Sequence, residues 1–361
     1  EYHLKLITSL GKNKSWAEKG HIIAWDQFKL PYVSPKECIP INAVPDIVID
    51  DLIDIFSIKG EDFKISLGKK TGAIESYTYK KIKLFKSPLI PNFWRAPTDN
   101  DLGVIDFTQY LGLPDDTRYS ITSFDFSWKN TSKNRTVKDI TFEKVNNKII
   151  KVFVHFNIDN SEEDMAVTYT IFGDGNIFIR SSIKPSKNMA RFGMQLTIPK
   201  EFNQLTWFGR GPHETMFDRK TGGALGIYSG KVGELIHNYV KPQENGNRTD
   251  VRWAALTNEE DIGLFVSDIG GTHLSISAWP YSLEDLELAK HTYDLPKREF
   301  ITLNIDYKQQ GVGGDIPAMA VLHKKYKLRG GEDYSYTFRI KGYSKDKGDF
   351  NTLFKKIPPL K

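Results

Sequence analysis

Cysteine is nearly absent: Cys38 is the only one in 361 residues. No disulfide can therefore close within the chain, and no cysteine-based zinc site can be built. No apolar run approaches the roughly 18 to 20 residues needed to span a bilayer as a helix, and Glu1 is followed by a strand pattern, not a signal peptide. Charge of one sign is lacking too, since 50 basic against 45 acidic residues leave a net +5. These charges are mixed along the chain, which argues against nucleic acid as the main partner. The histidines show no His-x-His or His-x3-His spacing, so no metal site is assigned. Helical periodicity is scarce, and without strands alternating with helices there is no (β/α)8 barrel.

What the sequence has in quantity is strand pattern, with apolar residues at every second position and Gly, Asn and Asp between the runs. Lys151 to Ile158 alternates polar residues with Val152, Val154, Phe156 and Ile158, giving one buried and one wet face. Met165 to Phe172 and Ile177 to Ile183 flank Gly173-Asp174-Gly175-Asn176, a strong hairpin signal. Trp253 to Thr257 and Gly263 to Ser267 bracket the turn Asn258-Glu259-Glu260-Asp261. Two short helices are predicted, one from Leu283 to about Lys290 capped by Ser282 with Asp285, the other near Thr352 to Lys356. So many strands and so little helix predict an all-β chain folded as a large antiparallel sandwich.

Tyr2 to Leu10 and His21 to Phe28 read as one hairpin, and two strands alone bury no core. Residues 1–32 are therefore expected to be the last strands of an immunoglobulin-like domain whose earlier strands lie upstream. Residues 33–45, carrying Pro35 and Pro40, read as a linker, 46–345 as the sandwich and 346–361 as a C-terminal tail. A chain that starts in mid-strand is expected to be a piece of something longer.

The most distinctive stretch is Asn92-Phe93-Trp94-Arg95-Ala96-Pro97-Thr98-Asp99-Asn100-Asp101-Leu102-Gly103. Pro97 extends the backbone at Ala96, Asn100 suits a left-handed or Asx turn, and Gly103 frees the chain afterwards, so a shaped loop is expected. Arg95 can pair with Asp99 or Asp101, and the same carboxylates can accept sugar hydroxyls. Further blocks follow: Trp16 to Trp25, Trp207 to Glu214 with Asp218-Arg219, Tyr239 to Arg248 with Arg252-Trp253, and Leu303 to Asp306 with Gly311 to Asp315.

In this order the blocks resemble the C-terminal, small-chain region of β-galactosidases of glycoside hydrolase family 2, from about Tyr2 to about Gly342. The resemblance implies a supersandwich similar to galactose mutarotase, attached to an upstream catalytic barrel of the same polypeptide. That barrel carries the family's glutamate acid/base and glutamate nucleophile and often uses Mg2+ and Na+; no catalytic residue and no cofactor is assigned to this segment. It further implies a galactoside substrate, a retaining mechanism and a homo-oligomeric parent. The pair Asn258-Glu259 echoes the barrel's acid/base motif but sits in a hairpin turn, so this chain alone is not expected to hydrolyse lactose.

A supporting role leaves three candidate loops. The resemblance places Asp99 to Gly103 by the active-site mouth, with Gly103 as a hinge. Arg210, His213 and Glu214 form the second, readable as sugar contacts or as buried Arg–carboxylate pairing. Gln243, Glu244 and Asn245 form the third, with Arg252 beyond them, offering amides and a carboxylate to hydroxyls or to an ordered turn. His291 stands where the family often has a histidine, open to an epimerase-like or a structural role. Asp315 closes the set. After it the family commonly has Asp-Ser-Trp, the tryptophan forming a sugar platform; here Ile316-Pro317-Ala318 follows, putting alanine at the platform. Two alternatives remain open at this point: a stand-alone carbohydrate-binding module, or a mutarotase-like sugar epimerase.

Overall fold

A computed structural model describes residues 1–114, 124–313 and 322–359, with backbone only over 104–107. A nine-stranded antiparallel sheet forms the broad layer, in the order 136–146, 149–157, 165–172, 177–183, 334–344, 262–268, 253–257, 204–211 and 224–231. Two five-stranded antiparallel sheets accompany it. One runs Val48–Asp51, Ile55–Lys59, Phe63–Gly68, Ile74–Tyr79 and Ile82–Lys83; the other is ordered Arg248–Val251, Leu274–Trp279, Phe300–Gln309, Arg191–Pro199 and Ile90–Asn92. One continuous apolar cluster draws Ile65 and Tyr77, Val152 and Ile340, and Met194 and Leu303 from all three sheets. This is the expected large antiparallel sandwich, and it forms because each strand has one face to hide.

Local patterns explain the hairpins. In Ile149–Asn157 the residues Ile150, Val152, Val154 and Phe156 are buried while the side chains between them are less so. The strands Met165–Phe172 and Ile177–Ile183 fall on the predicted bounds, with Gly175 at φ +80° in the turn. The Asn176 amide donates to Asp174 at 2.6 Å, and Lys341 donates to the Asp174 carbonyl at 2.8 Å, fastening the turn to the neighbouring strand. The helix Leu283–Leu288 carries the expected Ser282/Asp285 capping box but stops short of Lys290, at an extended Ala289. The second helix, Phe350–Lys355, starts earlier than predicted because Asp349 accepts the Thr352 N–H at 2.7 Å.

The Asn92–Gly103 stretch differs from the expected loop. Only residues 93–98 are irregular, and a helix begins at Asp99 and runs to Tyr110, so Asn100 and Gly103 lie in a helix and not in a turn. A capping box starts it: Thr98 Oγ1 accepts the Asp101 N–H at 3.2 Å, and the Asp101 carboxylate accepts the Thr98 N–H at 2.9 Å. Two first-turn carboxylates at the positive end of the helix add to this.

The hairpin His3–Ser9/Ile22–Lys29 forms a separate two-stranded sheet with mostly exposed side chains. It meets the sandwich where the Gln27 side chain bonds both the N–H and the carbonyl of Leu225, at 2.8 and 2.7 Å. Residues on either side of the sandwich also join, since Glu37–Cys38 pairs in parallel with Lys356–Ile357.

The sheet containing Arg191–Pro199 positions the site. Phe192, Met194, Leu196 and Ile198 face the apolar core, so the alternate residues Arg191, Gly193, Gln195 and Thr197 face the other way. In register with them stand Asp306 opposite Gly193, Asn304 opposite Gln195, and Ser275 and Ser277 opposite Asp306 and Asn304. The outer face is therefore polar, and residues 93–98, 243–247 and 281–288 supply the segments bonded to it.

Candidate functional site

Arg191 is the centre of the polar face. Its side chain is fully buried, donating from Nη1 to the Trp94 carbonyl at 2.9 Å and from Nη2 to Glu244 Oε1 at 2.5 Å. Nε lies 3.1 Å from Asp306 Oδ2 but off the angle a hydrogen bond needs. Gln309 Nε2 donates to the same Glu244 oxygen at 2.8 Å. Two buried carboxylates thus share one guanidinium. Burial pushes Asp306 up to about 7, with Arg191 opposing the shift and Glu244 adding to it. Glu244 is also raised, by burial first and against the pull of Arg191. The pair accordingly holds a proton to higher pH than free carboxylates do. Among the described residues, Glu244 Oε2, both Asp306 oxygens and Gln309 Oε1 are buried without hydrogen bonds, so this hub is held by charge more than by complete bonding.

Arg95 forms a second buried knot beside it. Its Nη2 reaches both Asp101 oxygens at 2.8 and 3.0 Å and the Gly311 carbonyl at 3.0 Å, and Nη1 donates to the Gln310 carbonyl at 2.6 Å. Asp101 therefore caps a helix and pairs an arginine at once. Asp99 instead joins the third loop: its N–H donates to Gln243 Oε1 at 3.0 Å, and Gln243 Nε2 donates back to its carboxylate at 2.9 Å. Asn100 Nδ2 donates to the Val312 carbonyl at 2.8 Å.

Gln243, Glu244 and Asn245 are all buried. Asn245 bonds the Gln243 carbonyl, the Tyr281 hydroxyl and the His237 N–H, while its own carbonyl accepts Trp279 Nε1 at 2.8 Å. Glu214 ties in from the second loop, accepting the Gly246 N–H at 2.8 Å and bonding Arg219 and the Tyr239 hydroxyl. Burial, with the Glu214 bond adding, raises the Tyr239 phenol above its ordinary value.

The other candidates part company with this group. Arg210 donates to Asp250 at 2.6 Å, and Arg252 donates to the Asp250 carbonyl at 2.6 Å and to Glu1 at 2.9 Å. Burial opposes the ionised Asp250, but Lys220 and Arg210 outweigh it and hold the carboxyl below its ordinary value. Arg210 and Arg252 are thus each paired with a carboxylate of this chain, Asp250 and Glu1 respectively. His213 is exposed on its loop. His291 is exposed as well, stacked on Tyr293 and 3.6 Å from Asp294, and among the described residues it bonds to none of the hub residues. Asp315 and Ala318 lie outside the described residues. Among the described residues no three His, Cys, Asp or Glu side chains converge as metal ligands.

Sequence reasoning did not select Arg191, Gln309 or Asp218. Arg191 and Gln309 sit at the ends of strands, where a polar residue reads as solvent-facing. Asp218 Oδ2 accepts the N–H groups of Val312 and Gly313 at 2.9 and 2.7 Å. A Cβ on Gly311 would lie 2.5 Å from that oxygen, so a larger residue there would have to displace the Asp218 carboxylate. Asn100, Asp218, Arg219, Val312, His323 and Tyr326 border a cavity of about 290 Å³. The signal available beforehand was the Asp218-Arg219 pair following the second block.

A broad β sandwich with a loop-covered polar sheet face, stitched by arginines, carboxylates and amides, is the class of domain these features define. The family model described as β-galactosidase small chain matches residues 59–340, and the chain belongs to that family. Relatives described as β-galactosidases include one from Priestia megaterium (strain DSM 319 / IMG 1521), 36% identical over 94% of this chain and 31% of the relative. Another, from Halalkalibacterium halodurans, is 30% identical over 94% of this chain and 32% of the relative. The chain thus spans about a third of the length of the curated relatives it matches. Among solved structures, a galactose 1-epimerase from Lactobacillus acidophilus NCFM aligns with a TM-score of 0.46 at 9% identity, covering 83% of this chain and 98% of that one. A galactose mutarotase-like protein from Lactobacillus casei ATCC 334 aligns with a TM-score of 0.45 at 11% identity, covering 80% of this chain and all of that one.

Proposed function

We propose that this chain is the C-terminal, non-catalytic portion of a β-galactosidase. It shapes the galactoside pocket of a catalytic barrel upstream in the same polypeptide, and the assembled parent is a retaining hydrolase that forms homo-oligomers. The observation that carries the reading is the family match over residues 59–340 in a chain that spans about a third of its β-galactosidase relatives. The geometry is consistent with it. The sugar-contact candidates Asp99, Asn100 and Gln243 are held by one another and by Val312, as a rigid rim for another part's active site requires. Arg95, Asp101, Glu244, Asn245, Arg210 and Arg252 are occupied with internal partners and act as its support. The role asks no metal of this chain; Mg2+ and Na+ belong to the barrel in this reading.

The test is hydrolysis of a chromogenic β-galactoside by the chain alone, by the upstream portion alone and by the two together. Activity only on combining them is the expected result, with the β-anomer as the first product seen by proton NMR. Turnover by the 361-residue chain alone would overturn the assignment.

A further inference from the structure

A second cavity, about 420 Å³, opens at the edge of the sheet that carries Arg191–Pro199. This is within the size range of small-ligand sites. Two amides that line it, Asn92 and Gln195, are backed by the fully buried Asn304. Asn304 Oδ1 accepts from Gln195 Nε2 at 2.8 Å and from Asn92 Nδ2 at 3.4 Å, and Asn304 Nδ2 donates to Ser277 Oγ at 3.0 Å. Asn92 Oδ1 is taken by the Trp94 N–H at 3.1 Å. These bonds therefore fix the orientation of Gln195 and leave its Oε1 without a bond among the described residues, on a side chain that is only partly buried. Asn130, Lys133 and Glu284 stand exposed around it, and Leu283 supplies an apolar wall.

The charges of the cavity decide what class of ligand it suits. Lys129 and Lys133 are matched by Glu284 and Glu287, and Glu287 is already engaged by Lys129 at 3.2 Å and by Trp94 Nε1 at 2.7 Å. Among the described residues, the Lys133 ammonium and the Glu284 carboxylate are left without a hydrogen bond or ion pair, Glu284 feeling only the charge of Arg298, and the amides both donate and accept. A phosphate or a cation would meet as much repulsion as attraction here. A neutral molecule with many hydroxyls and an apolar C–H face meets donors, acceptors and an aliphatic wall in turn.

We propose that this cavity binds a neutral saccharide, with Gln195 and Asn130 at its hydroxyls, Glu284 accepting from them and Leu283 against its C–H face. The site is built wholly from this chain and goes beyond the pocket-shaping role, so it stands or falls without reference to hydrolysis.

Calorimetric titration of the 361-residue chain with galactose, glucose and lactose, and with inorganic phosphate and galactose 1-phosphate, tests it. At least one neutral sugar is expected to bind, and to bind better than the anions. The exposed pair N130A/E284A is expected to weaken that binding about tenfold or more, with circular dichroism and thermal midpoint unchanged, while D99A leaves it intact. Absence of binding by all three neutral sugars, tighter binding of the phosphates, or a loss in D99A but not in N130A/E284A would each overturn the proposal.

Discussion

Gly193 and Asp306 face one another across paired strands so closely that a Cβ on the glycine would lie 1.9 Å from Asp306 Oδ1. The absent side chain is what lets a buried carboxylate lie back against the sheet within reach of Arg191. Gly193→Ala must push Asp306 or bend a strand, and overpacking of this kind costs about 1 to 3 kcal/mol. Urea denaturation of the variant measures it; a midpoint equal to that of the parent would mean the approach is looser than described.

The same carboxylate makes stability depend on pH in an unusual direction. Asp306 sits near 7 in the folded chain, whereas a free aspartate titrates near 4. Between those values the native state keeps a proton that the unfolded state has released, so this group's contribution falls as pH rises from about 4 to about 7 and levels off above. Carboxylates held low, such as Asp250 and Asp285, contribute stability that is lost as pH falls. The Asp306 contribution is isolated by subtracting the Asp306→Asn curve from that of the parent. The difference should decline across that window, and a flat difference would contradict the raised value.

Arg191 answers two buried carboxylates, so its removal leaves uncompensated charge. Arg191→Met is expected to cost about 3 to 5 kcal/mol, the range for breaking a buried pair from one side. The triple change Arg191→Met, Glu244→Gln, Asp306→Asn should recover part of that loss, because no buried charge then lacks a partner. Equilibrium unfolding of the two variants separates charge from packing: equal losses would point to packing alone.

Thr98 starts the helix that follows the Arg95 knot. Thr98→Ala removes the acceptor for the Asp101 N–H and should cost about 1 kcal/mol, while Thr98→Ser retains it. Hydrogen exchange localises the effect, with faster exchange expected for the amides of the first turn from Asp101. Faster exchange spread evenly over the whole sandwich would show that the cap is not a local device.

In the assembled β-galactosidase we propose, Asp99→Ala and Gln243→Ala are expected to raise KM for a galactoside more than they lower kcat, because in that reading they loosen a rim and leave the reacting groups of the upstream barrel untouched. Their double variant should be less than additive, with a coupling of about 0.5 to 3 kcal/mol for residues in direct contact. Strict additivity would show that the reciprocal Asp99–Gln243 bonds do not act as a unit.

The parts of the fold visible beforehand were those governed by near neighbours. The hairpin at Gly173-Asp174-Gly175-Asn176, the Ser282/Asp285 box and the alternation of Lys151 to Ile158 all depend on contacts within a few residues, and all appear at or near their predicted places. The helix at Asp99 was hidden by a conflict of local cues. Asn100 and Gly103 suggest a turn, yet Thr98-x-x-Asp101 is itself a capping box, and the Arg95–Asp101 and Asn100–Val312 bonds favour the helix.

By itself the sequence determined that this is an all-β sandwich, since strand period and turn chemistry are local, and its ordered blocks pointed to the β-galactosidase small-chain family. Only the tertiary structure decided which residues, inside those blocks and outside them, meet. Asp99 finds Gln243, Arg95 finds Gln310 and Gly311, and Arg191 finds Glu244, each across a long stretch of chain. Such pairs leave no periodic trace, because a buried arginine and a solvated one occupy the same place in a strand pattern. What separates them is whether a carboxylate from a distant loop is brought down over the sheet.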